Sequence, residues 1–87
     1  MNKKTQLKMT VREVIYAEMK WPALHPLDDN ESLANQGVDS LKAITILYQL
    51  EDRLDVVISN DLLESCQTVN DIVSNITIIQ GETSNEN

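Results

Sequence analysis

Cysteine occurs once in the 87 residues, at Cys66, which excludes an internal disulfide and any cysteine-based zinc site. A single thiol of this kind reads as a structural side chain in a reducing cytoplasm. Phenylalanine is absent and aromatic residues make up 3% of the chain, so a core has to be assembled from Leu, Ile, Val and Met. Two Gly and two Pro leave few turns, which points to helices and away from a many-stranded sandwich or barrel. Long apolar runs are missing as well. No stretch approaches the ~20 residues that a bilayer demands, and Lys3 and Lys4 are not followed by a signal-peptide core. These absences lead us to expect a soluble, cytoplasmic protein that does not engage membranes.

What is present is modest in size and strongly acidic. Hydrophobic residues are 41% of the chain, enough for one domain with a single core but not for an enclosed, lidded substrate cavity. The net charge is −7, and it is unevenly spread. Residues 1–20 carry Lys3, Lys4, Lys8, Arg12 and Lys20 against Glu13 and Glu18, a balance of +3; the remainder carries only Lys42 and Arg53 against its acids, a balance of −10. A body this acidic repels nucleic-acid phosphates and anionic membrane, and it attracts basic patches on partner proteins. A plainly solvated surface gives the same composition.

The apolar spacing predicts three main helices and a short one. Leu7, Val11, Val14, Ile15 and Met19 fall on one face of a helix from about Thr5 to Lys20, ended by Trp21-Pro22. Residues 22–39 form a long connection whose Leu24, Leu27 and Leu33 are expected to be pinned to the core. Its acidic stretch, Asp28 to Ser32, fails the EF-hand pattern, because Leu33 stands where glycine is obligatory. A second helix from Ser40 to about Leu54 is apolar around most of its circumference, so it is expected to be central and buried on several sides. Its exposed stripe should carry Lys42, Thr45 and Gln49. After the extended link Val56-Val57-Ile58, Ser59-Asn60-Asp61 caps a short helix through Leu62 and Leu63. Thr68-Val69-Asn70-Asp71 resembles a capping box opening a last helix with Val69, Ile72, Val73, Ile76 and Ile79 on one face. Gly81 is expected to stop that helix, leaving one domain over residues 1–80 and a disordered tail over 81–87.

Candidate chemistry is sparse. His25 is the only histidine and lies in a different element from Ser40, so a serine nucleophile has no evident base. Paired acids such as Asp28/Asp29 or Glu51/Asp52 need a desolvating cleft to work as acid and base, and metal-ligand clusters are lacking. Independent catalysis is not expected. Ser40 itself stands in Asn35-Gln36-Gly37-Val38-Asp39-Ser40-Leu41-Lys42, where an Asp-Ser pair before an apolar helix is ordinary capping. The alternative reading rests on the combination. Gly37 permits a turn that lifts the hydroxyl clear, Asp39 is available as the cap, and helix N–H groups favour an attached anion, with Lys42 nearby.

Gly37-Val38-Asp39-Ser40-Leu41, followed by an apolar helix ending Leu50-Glu51-Asp52-Arg53-Leu54, resembles the acyl carrier protein and peptidyl carrier protein family. The resemblance runs from about Thr10 to Ile79 and takes in the helix order, the long first loop and the short third helix. It implies an all-α, four-helix bundle that is a non-catalytic, monomeric carrier. Ser40 would receive 4′-phosphopantetheine from coenzyme A through a phosphopantetheinyl transferase, and the arm's thiol would hold an acyl, aryl or aminoacyl group as a thioester. Further implied partners are an adenylating or acyl-loading enzyme and condensing or tailoring enzymes. Val38, Asp39, Leu41, Lys42, Thr45, Ile58 and Leu62 would form the recognition surface, with Leu41 and Leu62 equally readable as core. Lys42 and Thr45 stand where fatty-acid carriers usually have acids. The resemblance is therefore nearer to carriers of nonribosomal peptide and polyketide pathways, while Asp39 favours acyl or aryl cargo. A free-standing carrier is expected. A fatty-acid-synthesis carrier and an unmodified helical adapter of the same fold are the alternatives.

Overall fold

A computed structural model describes residues 2–83. Four α-helices follow one another: α1 (Lys3–Met19), α2 (Ser40–Leu54), α3 (Asn60–Glu64) and α4 (Val69–Thr83), with one 3-10 turn, Ala34–Gln36, in the long first loop. The described residues contain no strand. The expected all-α bundle is what forms.

The helix ends follow from local chemistry. The Asn2 side chain accepts from the Thr5 N–H at 2.7 Å and starts α1. Lys20 closes it in the left-handed region at φ 57°, and Asp55 closes α2 in the same way at φ 56°. Neither is glycine, so each carries a cost of roughly 1–2 kcal/mol that the surrounding packing offsets. Ser59 caps α3, accepting from Leu62 N–H at 3.4 Å. The capping box before α4 is complete in both directions: Asp71 N–H donates to Thr68 Oγ1 at 2.9 Å, and Thr68 N–H donates to Asp71 Oδ2 at 3.1 Å.

The core is the aliphatic set that composition required. Leu7, Val11, Val14 and Ile15 of α1 pack with Ile46, Leu47 and Leu50 of α2 and with Val69, Ile72, Val73 and Ile76 of α4. Each such side chain stabilises the fold by about 1.5–3 kcal/mol relative to exposure. Leu33, Val38, Ile58 and Cys66 complete it from the connecting segments.

Three expectations need correction. Leu24 is not pinned to the core but is 95% exposed; it sits in a turn closed by His25 N–H donating to the Pro22 carbonyl at 2.9 Å. The turn is held instead by rings. His25 stacks on Trp21 at 4.0 Å between centroids, and the Tyr16 hydroxyl donates to the His25 carbonyl. Second, α2 is not buried on several sides: Leu41, Ile44 and Tyr48 are exposed. A domain with only two large neighbouring helices cannot cover both apolar stripes of a third. Third, Gly81 does not stop α4, which continues to Thr83. Its φ is not positive, so it acts as an ordinary helix residue rather than a left-handed terminator. The rest of the expected tail, 84–87, lies outside the described residues.

The acidic stretch of the long loop is tied down by its own chain. Arg12 donates to the Leu27 carbonyl at 3.0 Å and to Asp29 Oδ1 at 2.5 Å, and Lys8 lies 3.6 Å from Asp29 Oδ2. Asn70 N–H donates to the Asp29 carbonyl, and Leu33 N–H donates to that of Gln67 at 2.8 Å. These bonds fix where the loop delivers the residues before α2.

Candidate functional site

The segment leading into α2 is built in four steps. The 3-10 turn closes with Gly37 N–H donating to the Ala34 carbonyl at 3.2 Å, and Gly37 turns the chain at φ 96°. A Cβ there would meet nothing within 4 Å, so backbone conformation rather than space selects glycine. Val38, 2% exposed, then anchors the chain in the core. Asp39 is the N-cap: its Oδ1 accepts from Lys42 N–H at 2.9 Å.

Ser40 is therefore the first residue of α2 and not its cap. It is exposed, and its hydroxyl has no hydrogen-bond partner among the described residues. The N–H groups of Ser40 and Leu41 likewise have no acceptor there, because Asp39 satisfies Lys42 and the Asp39 carbonyl accepts from Ala43 at 2.9 Å. Two open donors at a helix N-terminus suit an anion attached to the adjacent hydroxyl. Among the described residues no side chain is hydrogen-bonded to that hydroxyl as a base, and His25 is held in the ring cluster at Trp21. The group is fitted to be modified by an enzyme that brings its own base, and it is unfitted to attack alone.

The other site residues divide. Asp39, Leu41 and Lys42 are exposed around Ser40, and Thr45 is half-buried with its hydroxyl donating to the Leu41 carbonyl at 3.1 Å. Leu41, 74% exposed, is surface and not core. Val38 and Ile58 do not lie on a recognition surface; both are buried, Ile58 at 5% exposure, and Leu62 is half-buried against the same core. Ile58 lost its place by parity. In the extended link, alternate side chains face opposite ways, so Val56 and Ile58 turn inward and Val57 turns out. Ile58 N–H is fixed in that register by donating to Glu51 Oε2 at 2.6 Å.

Lys42 is corrected as well. Residues two apart on a helix do not share a face, and the Lys42 Nζ lies 3.3 Å from Glu18 Oε2 on α1. The same Glu18 accepts from Gln49 Nε2 at 2.7 Å. Lys42 fastens two helices together rather than adding positive charge beside Ser40. Reasoning from the sequence named Leu41 but missed Ile44 and Tyr48, which continue it as an exposed row, with Val57 also exposed at the end of the link after α2. The i, i+3, i+7 spacing was visible, but it was read as core.

Residues 5–76 match a family described as the phosphopantetheine attachment site. The chain belongs to this family of phosphopantetheine-bearing carriers. It is 30% identical over 73 residues to the acyl carrier protein of Exiguobacterium sibiricum, covering 84% of this chain and 92% of that protein. It is also 30% identical over 73 residues to the non-reducing polyketide synthase albA of Aspergillus brasiliensis, covering 82% of this chain but only 3% of the synthase. Phosphopantetheine carriers hold 4′-phosphopantetheine covalently and are not themselves catalysts, and this chain is a carrier of that kind. The exposed hydroxyl and open N–H donors fit the group's phosphodiester end. When bound, the group supplies a thiol at the end of a flexible arm. Carriers work by passing between modifying and catalytic enzymes, so the face around the arm has to be readable by more than one partner.

Proposed function

We propose that Ser40 is the attachment residue and that the chain serves, in the cytoplasm, a pathway of polyketide or nonribosomal peptide type. The observation that carries the first part is the exposed, unpartnered Ser40 hydroxyl on the first turn of α2, beside two N–H groups with no acceptor. In the modification step the Ser40 oxygen attacks the phosphorus of coenzyme A that bears the pantetheine. The phosphoanhydride bond breaks, the adenosine bisphosphate leaves, and the serine proton goes to a base of the transferase. Asp39 holds the turn and Leu41 stands out beside the hydroxyl as a contact for the transferase.

The pathway rests on the surface of α2. Beside Ser40 the exposed row is Leu41, Ile44 and Tyr48, and the exposed acids of this helix begin only at Asp52. A face of this kind suits partners that present an apolar recess, and beyond Asp39 it offers little to an enzyme that recognises acids close to the arm. The partners proposed are an adenylating or acyl-loading enzyme and a condensing or tailoring enzyme.

Intact mass after incubation with coenzyme A and a broad-specificity transferase tests the first part. One phosphopantetheine increment is expected, with none on Ser40→Ala. An increment that survives the substitution overturns the assignment. For the second part, the arm-bearing carrier with its thiol free is offered to an adenylating enzyme and, separately, to a malonyl-loading enzyme of fatty-acid synthesis. Preferential loading by the latter overturns the pathway assignment and leaves Ser40 untouched.

A further inference from the structure

A cavity of about 190 Å³ opens at Ser40 and is lined by Leu33, Val38, Ala43, Cys66 and Gln67, with Ser32 at its polar side. We propose that this cavity seats the branched pantoyl segment of the arm, the part nearest the phosphodiester, and leaves the thiol and its cargo outside. The proposal rests on Ser40 as the attachment residue.

Three observations carry it. Position comes first: Ser40 and Ala43 are three residues apart on α2, hence on one face, so the cavity begins at the attachment point and runs beneath the first turn. A group tethered there is held at high local concentration, and the segment a few bonds from the tether is the one that reaches the walls first. Volume decides what fits. An apolar cavity of about 150 Å³ takes up benzene, so about 190 Å³ accepts roughly seven non-hydrogen atoms. That matches the quaternary carbon, its two methyls, the carbinol and the first carbonyl. An arm folded back with a long acyl chain is too large.

Chemistry comes third. Leu33, Val38 and Ala43 give an apolar wall for the geminal methyls, while Ser32 and Gln67 offer polar groups to the carbinol and the first amide. Cys66 does not compete as a nucleophile, because burial pushes its thiol pKa up and outweighs the opposing hydrogen bond that Asn75 Nδ2 donates to its sulfur at 3.2 Å. Ala43 contributes only a methyl to that wall.

The test uses isotope-labelled carrier converted to its arm-bearing form and confirmed by intact mass. Isotope-edited NOE spectra are expected to connect the geminal methyl protons of the arm with methyls of Leu33, Val38 and Ala43. Ala43→Leu fills the cavity and is expected to abolish those NOEs while the mass increment stays. Absence of NOEs from the geminal methyls in the wild-type protein overturns the proposal. So does their replacement by NOEs from the chain of a loaded acyl group. Failure to gain the arm at all overturns the attachment reading instead, so the two failures are distinguishable.

Discussion

Asp39 and Ser40 separate two roles that an Asp-Ser pair leaves merged in sequence. The Asp39 carboxylate takes the N–H of Lys42 and is the cap, while the Ser40 hydroxyl bonds to nothing among the described residues. Asp39→Ala is therefore expected to cost about 1 kcal/mol, and Ser40→Ala close to nothing. For a domain of this size 1 kcal/mol is a fall in Tm of about 4–8 °C, read by thermal unfolding of both variants. Equal falls would return Ser40 to the capping role. Cys66 acts at the other side of the cavity. Burial raises its thiol pKa most, the Asn75 hydrogen bond opposes this, and the charge of Asp71 adds to the rise. The folded state thus holds the thiol proton more tightly than the unfolded chain does. That contribution is complete below the ordinary thiol value of 9.0 and is lost as pH climbs through the raised one. Cys66→Ala is expected to lose stability less steeply than the wild type above pH 9.0, up to the raised value, measured as denaturation midpoint against pH.

At the scale of elements, the helices were legible because their signals are local. The spacing of Leu7, Val11, Val14 and Ile15, the Thr68–Asp71 box and the Ser59 cap each specify an element within a few residues. The Gly37 turn, the Asp39 cap and the exposed Ser40 hydroxyl were legible for the same reason, since they are contiguous. What was not legible depends on what covers a face. Leu24 and the Leu41–Ile44–Tyr48 row have the composition of core, but no element of so small a domain lies over them. Val38 and Ile58 were placed on the recognition surface by the resemblance alone, but turn inward. Gly81 falls between the two cases, because the residue that most often ends helices also sits inside them. With no positive φ and open space around its Cβ position, Gly81→Ala is expected to stabilise α4 by about 0.4–1 kcal/mol. A loss of helicity by circular dichroism would mean that Gly81 terminates the helix after all.

For the whole molecule, the uneven charge of the chain becomes a pattern of attachment. Every ion pair among the described residues joins α1 to another element: Lys8 and Arg12 to Asp29 in the loop, and Glu18 and Glu13 to Lys42 and Arg53 of α2. Lys8 and Arg12 set the basic start against an acid of the body, while Glu13 and Glu18 take up the body's two bases, so α1 is held by charge of both signs as well as by its apolar face. The Arg53–Glu13 pair is exposed on both sides and is worth about 0–1 kcal/mol. Arg12 differs, being half-buried and bonded both to the Asp29 carboxylate and to the Leu27 carbonyl. It fixes the loop that delivers Leu33, Gly37 and Val38, and through them the turn that exposes Ser40. Arg12→Met keeps the aliphatic stem and removes both bonds, with an expected loss of about 1.5–3 kcal/mol at low salt. Screening separates charge from packing. Between about 0.01 M and 1 M salt the Debye length falls from about 30 Å to about 3 Å, so the electrostatic share of that loss should shrink. The Tm values of wild type and variant are expected to draw together as salt rises. A gap that stays constant would assign the role of Arg12 to packing and to its neutral carbonyl acceptor, and would leave the charge pattern without a part in holding α1.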